Sequence, residues 1–391
     1  MKNSELHKIV YRAINEVFHE GSLPDGVSPD CIIPLDQFMK QEVTEAEMLG
    51  AKTTPLPPEE MQSYLDRSKT GEKTAVDKFK YPYIHQANIP IKDGQDRVYD
   101  LDKLKAAIKE RPTKILKQNE KITHSGGDAT VYFNVGLPAL KGLAINEKTG
   151  EFIVVDTCPG AGACKVYCYA RKGGYIQYAP PSMSQTKLLN FLVNDPEGFK
   201  AKMADELKTE ETKYKKKNVK LVVRWHDAGD FFSPEYLDLA YRLAKEFPEV
   251  DFYAYTKMAG VAMGAKPDNF KMNFSGGAAP EQEKQVDFTK AKHSTVVPKQ
   301  MFDDLIKKDA KGRLERDKDK KLQWVSPEAP NVLKKRLAAK HKLDVNTLLT
   351  YDELMKTPIS PDKKYNVIVK SGDGDDSANR GDVLGTYLLI H

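Results

Sequence analysis

Two textures of apolar and polar positions divide the chain. Over residues 1–110, short stretches of helical period (MKNSELHKIVYRAINEVF at 1–18 is amphipathic) alternate with loops rich in proline and charge, such as TTPLPPEE at 53–60 and YPYIHQANIPIKDGQDR at 81–97. From about Asp128 the pattern changes to compact apolar runs. ATVYFNVGLPA at 129–139 reads as a strand, and GLAINEKTGEFIVVD at 142–156 as a hairpin turning at Asn146 to Gly150. Two helical patterns follow, SMSQTKLLNFLV at 182–193 and GFKAKMADELKTEETKYKKK at 198–217. Then comes a strand at Val219 to Trp225, a helix opened by Ser233 as N-cap with Pro234 at its first position, and a strand at Val250 to Tyr255. Further strand-like runs are NFKMNF at 269–274, STVVP at 294–298, YNVIVK at 365–370 and LGTYLLIH at 384–391.

Strand, crossover helix and strand in this order make parallel pairs. The expected fold class is therefore α/β, a parallel βα-repeat sheet or a partial (βα) barrel, behind a helical N-terminal accessory region. The expected organisation is an accessory region over 1–110, a core α/β domain over 111–300, a helical basic insertion over 301–356, and a strand segment over 357–391 that completes the core.

Composition narrows the classes. The 391 residues are 40% hydrophobic and 30% charged, as in an ordinary water-soluble protein. No apolar run is long enough to span a membrane, and the N-terminus lacks the pattern of a secretory signal, so the expected location is the cytoplasm. A net charge of +5 on a chain of this length gives nucleic acid little support as a partner. Runs such as KYKKK at 213–217 and RDKDKKL at 316–322 read as solvated faces.

The cysteines carry the strongest chemical signal. Three of the four, Cys158, Cys164 and Cys168, fall within eleven residues, with Pro159, Gly160 and Gly162 between the first two. Four cysteines are too few for a disulfide scaffold, and thiols clustered in a reducing compartment ligate metal or do redox chemistry more often than they fill a core. Two metal readings stand. Zinc needs four ligands in a structural site, and His226 could complete a Cys₃His set, although the C-x₂-C pairs usual for zinc are absent. An iron–sulfur cluster of the 4Fe-4S type also binds thiolates, and three cysteines leave one iron open.

Ligands of parallel α/β folds collect at the carboxyl ends of the strands. Arg224, His226 and Asp230 lie at the end of one expected strand, Tyr255 and Lys257 at the next, and Ser275 at the one after, so all are candidates for one site. Four of them have a structural alternative. Arg224 could be an ion-pair partner of Asp227 or Asp230, His226 a hydrogen-bonding loop residue, Asp230 a helix cap, and Lys257 a side chain reaching solvent.

Those residues carry a resemblance. TCPGAGACKVYCYARKGGY at 157–175, Asn190, RWHDAGDFFSPEYL at 224–237 and FYAYTK at 252–257 are similar to the motifs of a bacteriophage protein family named for gene product eighty-eight. The match runs from about Leu116 to Gly277. It implies a phage-type protein, in the cytoplasm of a host if phage-encoded, and raises Asn190 as a cofactor-binding candidate beside Ser275, which its strand end already marks as one. It brings no reaction with it. Family members often carry further cysteines near the C-terminus, where this chain has GDGDDSANRGDVLGTYLLIH at 372–391. More distantly, the loop is similar to that of radical S-adenosylmethionine enzymes, with Tyr167 before the last cysteine, although its C-x₅-C-x₃-C spacing departs from theirs. That likeness implies S-adenosyl-L-methionine as a second cofactor by analogy alone.

The aspartate-rich 372–382 stretch does not match an EF-hand spacing and reads as a polar turn in which Asp376 and Arg380 pair. The leading expectation is an iron–sulfur protein with radical or redox chemistry on a small molecule or nucleotide. The alternative is a non-enzymatic, zinc-stabilised module that binds nucleic acid or a host protein through basic helices ending at Lys215 to Lys217.

Overall fold

The computed structural model describes residues 47–70, 82–86, 101–118, 129–172, 175, 179–317, 322–370 and 375–389. The expected N-terminal amphipathic helix at 1–18, Cys31, His391 and the Asp376 side chain lie outside the described residues. Contacts divide the chain into Met1–Glu47 and Met48–His391, and the second of these units contains both sheets.

The frame of this unit is an open, eight-stranded, wholly parallel sheet. The strands are β2 (Thr130–Val135), β5 (Lys220–Trp225), β6 (Asp251–Thr256), β7 (Phe270–Ser275), β8 (His293–Val296), β9 (Leu348–Thr350), β10 (Tyr365–Val369) and β11 (Val383–Leu388). Their order is β2-β5-β6-β7-β8-β11-β10-β9. The first five advance one way across the sheet, and the last three start at the far edge and step back until β11 meets β8. Edges β2 and β9 are not paired with each other, so the sheet is open and the barrel alternative is set aside.

Alternation along each strand sorts two faces. On β5, Leu221, Val223 and Trp225 join the largest core, whereas Val222 packs on the other face with Tyr132, Tyr253 and Ala378. The first face is covered by α5 (Ala179–Asn194), α6 (Pro196–Lys215), α7 (Pro234–Glu246) and α8 (Ala259–Met263). Arg224, two residues after Val222, shares the second face, and its guanidinium lies 5.1 Å from the centre of the Tyr255 ring. The Ser233 cap is as expected: its hydroxyl accepts from Tyr236 N–H with Pro234 opening the helix.

The hairpin also forms, β3 (Lys141–Ile145) against β4 (Phe152–Asp156), with Gly150 at φ 72°. Yet it does not join the parallel sheet. With β1 (Thr53–Pro55) it makes a separate three-stranded antiparallel sheet. One side of that sheet buries Leu143, Ile145, Phe152 and Val154 against α1 (Pro58–Thr70), α2 (Pro82–Gln86) and α3 (Leu101–Lys109), which gives the described part of the accessory region its own small core. The other side, with Ala144, Ile153 and Val155, enters the main core.

Region 301–356, expected to be helical, is only partly so. It holds α10 (Ala329–His341) and α11 (Tyr351–Lys356), but also isolated bridges such as Ile306 to Trp324, and β9 at the sheet edge. A three-residue strand is too short to show a period. In the C-terminal turn Arg380 pairs with Asp382, at 2.7 and 2.9 Å.

Behind β8, the Lys292 ammonium donates to the carbonyls of Ser377, Arg380 and Val383 at 3.3, 2.8 and 2.5 Å and ties this turn to the sheet. Burial pushes its pKa down to about 7, against the attraction of Asp382. A depressed lysine binds fewer protons folded than unfolded between about pH 7 and its ordinary 10.4, so its contribution is lost as pH falls through 7 and is full above 10.4. Relative to Lys292→Met, the parent protein should therefore gain stability between pH 7 and pH 10, by a few kcal/mol at most; urea melts at both pH values check this, and a constant difference would contradict it.

Candidate functional site

A cavity of about 380 Å³ opens at the carboxyl ends of β5, β6, β7, β8 and β11. Its lining includes Cys158, Cys164, Cys168, Arg224, His226, Asp230, Tyr255, Lys257 and Ser275. Nine of the ten residues expected at a site are thus brought together. The tenth, Asn190, is not part of it: it sits in α5 with its Oδ1 accepting from Ile145 N–H at 2.9 Å and holds the helix to the hairpin. Asp227, Tyr167, Arg316 and Leu388 line the cavity without having been singled out as site residues. Asp227 stands in the same motif as His226; Arg316 and Leu388 come from the far end of the chain and carry no local signal.

The cysteine loop reaches this rim from outside the parallel sheet. It leaves β4 of the antiparallel sheet, crosses over, and enters the one-turn helix α4 (Cys164–Tyr167) beside the segment after β7. Gly162 N–H and Cys164 N–H both donate to the Gly277 carbonyl, at 3.2 and 3.0 Å, and Ala279 N–H donates to the Gly160 carbonyl at 2.9 Å. Ala161 and Ala278 form an antiparallel bridge there. Gly277 N–H in turn donates at 2.9 Å to the Glu283 carboxylate of α9 (Pro280–Glu283). The glycines are required by contact: a Cβ on Gly160 would collide with the Lys257 carbonyl, and one on Gly162 with that of Ala278. Gly277, at φ 79°, takes a backbone conformation that side chains disfavour, and packs against the Tyr167 hydroxyl.

Cys164 is buried, while Cys158 and Cys168 keep part of their surface. The Cys158 sulfur accepts from Leu140 N–H at 3.3 Å. Burial pushes its thiol pKa well up, and the Asp230 charge pushes the same way. Burial also raises Cys164, opposed by the charge of Lys257.

Asp230 is a strand-end clamp. Its carboxylate accepts from Phe231 N–H at 2.7 Å and from Lys257 N–H at 2.8 Å, which fixes β6 where the chain leaves the sheet. Burial raises its pKa to about 6 despite these donors. Helix α7 is capped by Ser233, so the cap alternative for Asp230 falls. Lys257 closes the neighbouring corner, its ammonium donating to Ser275 Oγ at 2.8 Å and to the carbonyls of Gly276 and Ser275 at 2.9 and 3.2 Å. Asp227, next to the charge of Arg224, accepts from the Tyr175 hydroxyl at 3.0 Å, and its second oxygen is buried without a hydrogen bond.

His226 adopts φ 63°. A non-glycine residue there costs about 1–3 kcal/mol. The ring it places between Phe231 (4.5 Å between centroids) and Tyr236, whose hydroxyl is 2.8 Å from Nε2, offsets that cost by aromatic packing and a buried hydrogen bond. Burial, with the charge of Arg224, lowers its pKa to about 3, which keeps the imidazole neutral. The fourth zinc ligand expected of His226 is therefore turned into an aromatic cluster. Among the described residues, no three His, Cys, Asp or Glu side chains converge on one ion position. Zinc holds its sulfurs about 2.3 Å from one centre. A cluster attaches each thiolate to a separate iron and places them farther apart.

The family model described as Gene product 88 matches residues 107–346. The chain belongs to this family. It is 32% identical over 163 residues to the Gene 88 protein of Mycobacterium phage D29, and 30% identical over 159 residues to that of Mycobacterium phage L5. Each alignment covers 38% of this chain and 60% of the relative. No solved structure gives a significant match. The matched span holds the three cysteines and every other described residue of the cavity lining except Leu388; β9, β10 and β11, which complete the sheet, follow it. Family membership is thus as expected; the cysteine loop follows β4 of the antiparallel sheet and not a strand of the parallel one.

Gly162→Ala should cost about 1–3 kcal/mol by overpacking against a backbone carbonyl and should expose Cys164 to a thiol reagent. Gly260→Ala, on α8 with nothing within 4 Å of its added Cβ, should be neutral or stabilising by up to about 1 kcal/mol. Urea denaturation and timed thiol titration of both variants check the contrast; equal behaviour would contradict the contact.

Proposed function

We propose that this protein holds an iron–sulfur cluster through Cys158, Cys164 and Cys168 and uses it for redox chemistry on a small molecule bound at the strand ends. The observation that carries the reading is the convergence of three thiols, from a loop pinned by its backbone, on one cavity at the rim of a parallel sheet. The residues present fit such a group. Three thiolates in a partly buried site need compensating positive charge, and Arg224, Lys257 and Arg316 line the same cavity. A multi-iron centre takes each thiolate on a different iron and so does not need the three sulfurs to meet at one point. When bound, the cluster supplies one-electron redox capacity and an iron without a cysteine ligand.

The chain's own residues set the surroundings. Leu140, Ala161, Val296 and Leu388 give the cavity apolar walls that restrict water. Leu140 N–H fixes the Cys158 sulfur, and hydrogen bonds to the sulfurs are among the levers on cluster potential. Tyr255 lines the cavity with the Arg224 guanidinium over its ring, a pairing that holds the positive charge in place beside the thiols. The alternative nucleic-acid module has less behind it. At the end of α6, Lys213 pairs with Glu210 at 2.8 Å and the Lys217 ammonium lies 5.9 Å from the centre of the Tyr214 ring, so part of that charge is already used.

Purification without oxygen, with assay of iron, sulfide and zinc, tests the reading. Iron and sulfide should be bound and should fall to background in Cys158→Ala, Cys164→Ala and Cys168→Ala, each still folded by circular dichroism, while Cys31→Ala keeps them. Stoichiometric zinc, or iron unchanged in the three variants, would refute the proposal.

A further inference from the structure

The cysteine loop has a second side. Behind it lies a separate, larger cavity of about 730 Å³, lined between the loop, the hairpin and α2. Cys158 and Cys168 line both cavities, so the loop forms a thin wall between them. The charge of the outer cavity is unbalanced: Lys141, Lys165, Arg171 and Lys172 surround it, and Asp156 is the one carboxylate among its described lining residues. The Asp156 side chain is engaged within the loop, where it accepts from Cys158 N–H at 3.3 Å.

Several surface cations elsewhere in the chain are held in ion pairs. Lys187 meets Glu110 at 2.5 Å, Arg242 meets Glu197 at 2.8 Å, and Arg336 meets Asp304 at 2.7 Å. None of the four cations around the outer cavity is in an ion pair among the described residues. Four like charges gathered around one concavity repel one another, and that cost is recovered when an anion enters. Two tyrosines, Tyr83 and Tyr175, line the same cavity and present aromatic surface beside the cations.

We infer that this outer cavity is a binding site for a phosphate-bearing ligand of nucleotide size, with its phosphates on Lys141, Lys165, Arg171 and Lys172 and its flat portion against the tyrosines. A volume of this size accommodates a nucleotide. Basic side chains alternating with aromatic ones are the pattern that takes phosphate and base together. Although Cys158 and Cys168 border both cavities, none of the four cations or two tyrosines is among the residues that would hold iron, so binding is measurable on protein with or without it.

The test is equilibrium binding of a fluorescent ATP analogue to the full chain, with inorganic triphosphate as competitor, at low and moderate salt. The double variants Lys165→Glu with Arg171→Glu, and Lys141→Glu with Lys172→Glu, should each bind about ten- to a hundredfold more weakly, the loss expected for charge-assisted contacts. The control Lys215→Glu with Lys217→Glu should stay within about twofold, since ordinary screening leaves a distant charge little influence. Thermal melts confirm folding; the second pair has only one member in the cysteine loop, so a misfolded first pair leaves the test intact. Triphosphate competing as well as the nucleotide would assign the site to phosphate alone, and a tighter nucleotide would add the tyrosines; both support the anion site. Absence of binding by either probe, or equal loss in the control, would overturn it.

Discussion

Two glycines hold the candidate site together. At Gly160 and Gly162 the cysteine loop comes so close to the segments after β6 and β7 that main chain meets main chain, and the carbonyls of Lys257 and Ala278 occupy the space where side chains would stand. Three backbone hydrogen bonds and one bridge then fasten a loop from one sheet to the rim of another. Each such bond contributes only about 1 kcal/mol net, but leaving its groups buried and unpaired would cost more. The register of this contact decides where the three thiols stand. The loop is short, so a slip of one residue would carry Cys164 out of the cavity.

Around that contact the polar groups divide into those that brace and those that face the cavity. Asp230 and Lys257 spend most of their hydrogen-bonding capacity on the backbone, the carboxylate on two N–H groups and the ammonium on two carbonyls and a hydroxyl. His226 is braced in an aromatic cluster and held neutral. These residues shape the rim more than they offer reactive groups. Arg224 and Asp227, the latter with an oxygen that lacks a hydrogen bond, lie nearer to chemistry. The cavity therefore resembles a rigid socket with few groups free to move, which suits a site that binds an inorganic centre and tolerates little reorganisation.

Much of this architecture is legible in the sequence. Apolar runs bounded by glycine and proline locate β2, the hairpin, β5 to β8 and β10, and the Ser233–Pro234 pair marks the start of α7. The rule that ligands gather at strand carboxyl ends is enough to assemble Arg224, Asp230, Tyr255, Lys257 and Ser275 on one rim. Other features are set by long-range contact. That the hairpin forms its own sheet depends on pairing with β1, nearly a hundred residues away. β9 has three residues and no period, and Arg316 reaches the cavity only because its segment folds back. The direction of the His226 ring follows from a positive φ that a histidine seldom adopts, and nothing in WHDAGD announces it. Asn190, a motif position, lies outside the cavity lining and joins helix to hairpin, a contact that no local pattern announces.

The most direct measurement is Mössbauer spectroscopy of the protein reconstituted with enriched iron and sulfide under nitrogen. Three cysteines on a four-iron cluster predict one iron whose spectrum differs from the other three and shifts when a small ligand is added. A spectrum of mononuclear iron alone, or no iron retained after desalting, would contradict the account and return the three thiols to a purely structural role.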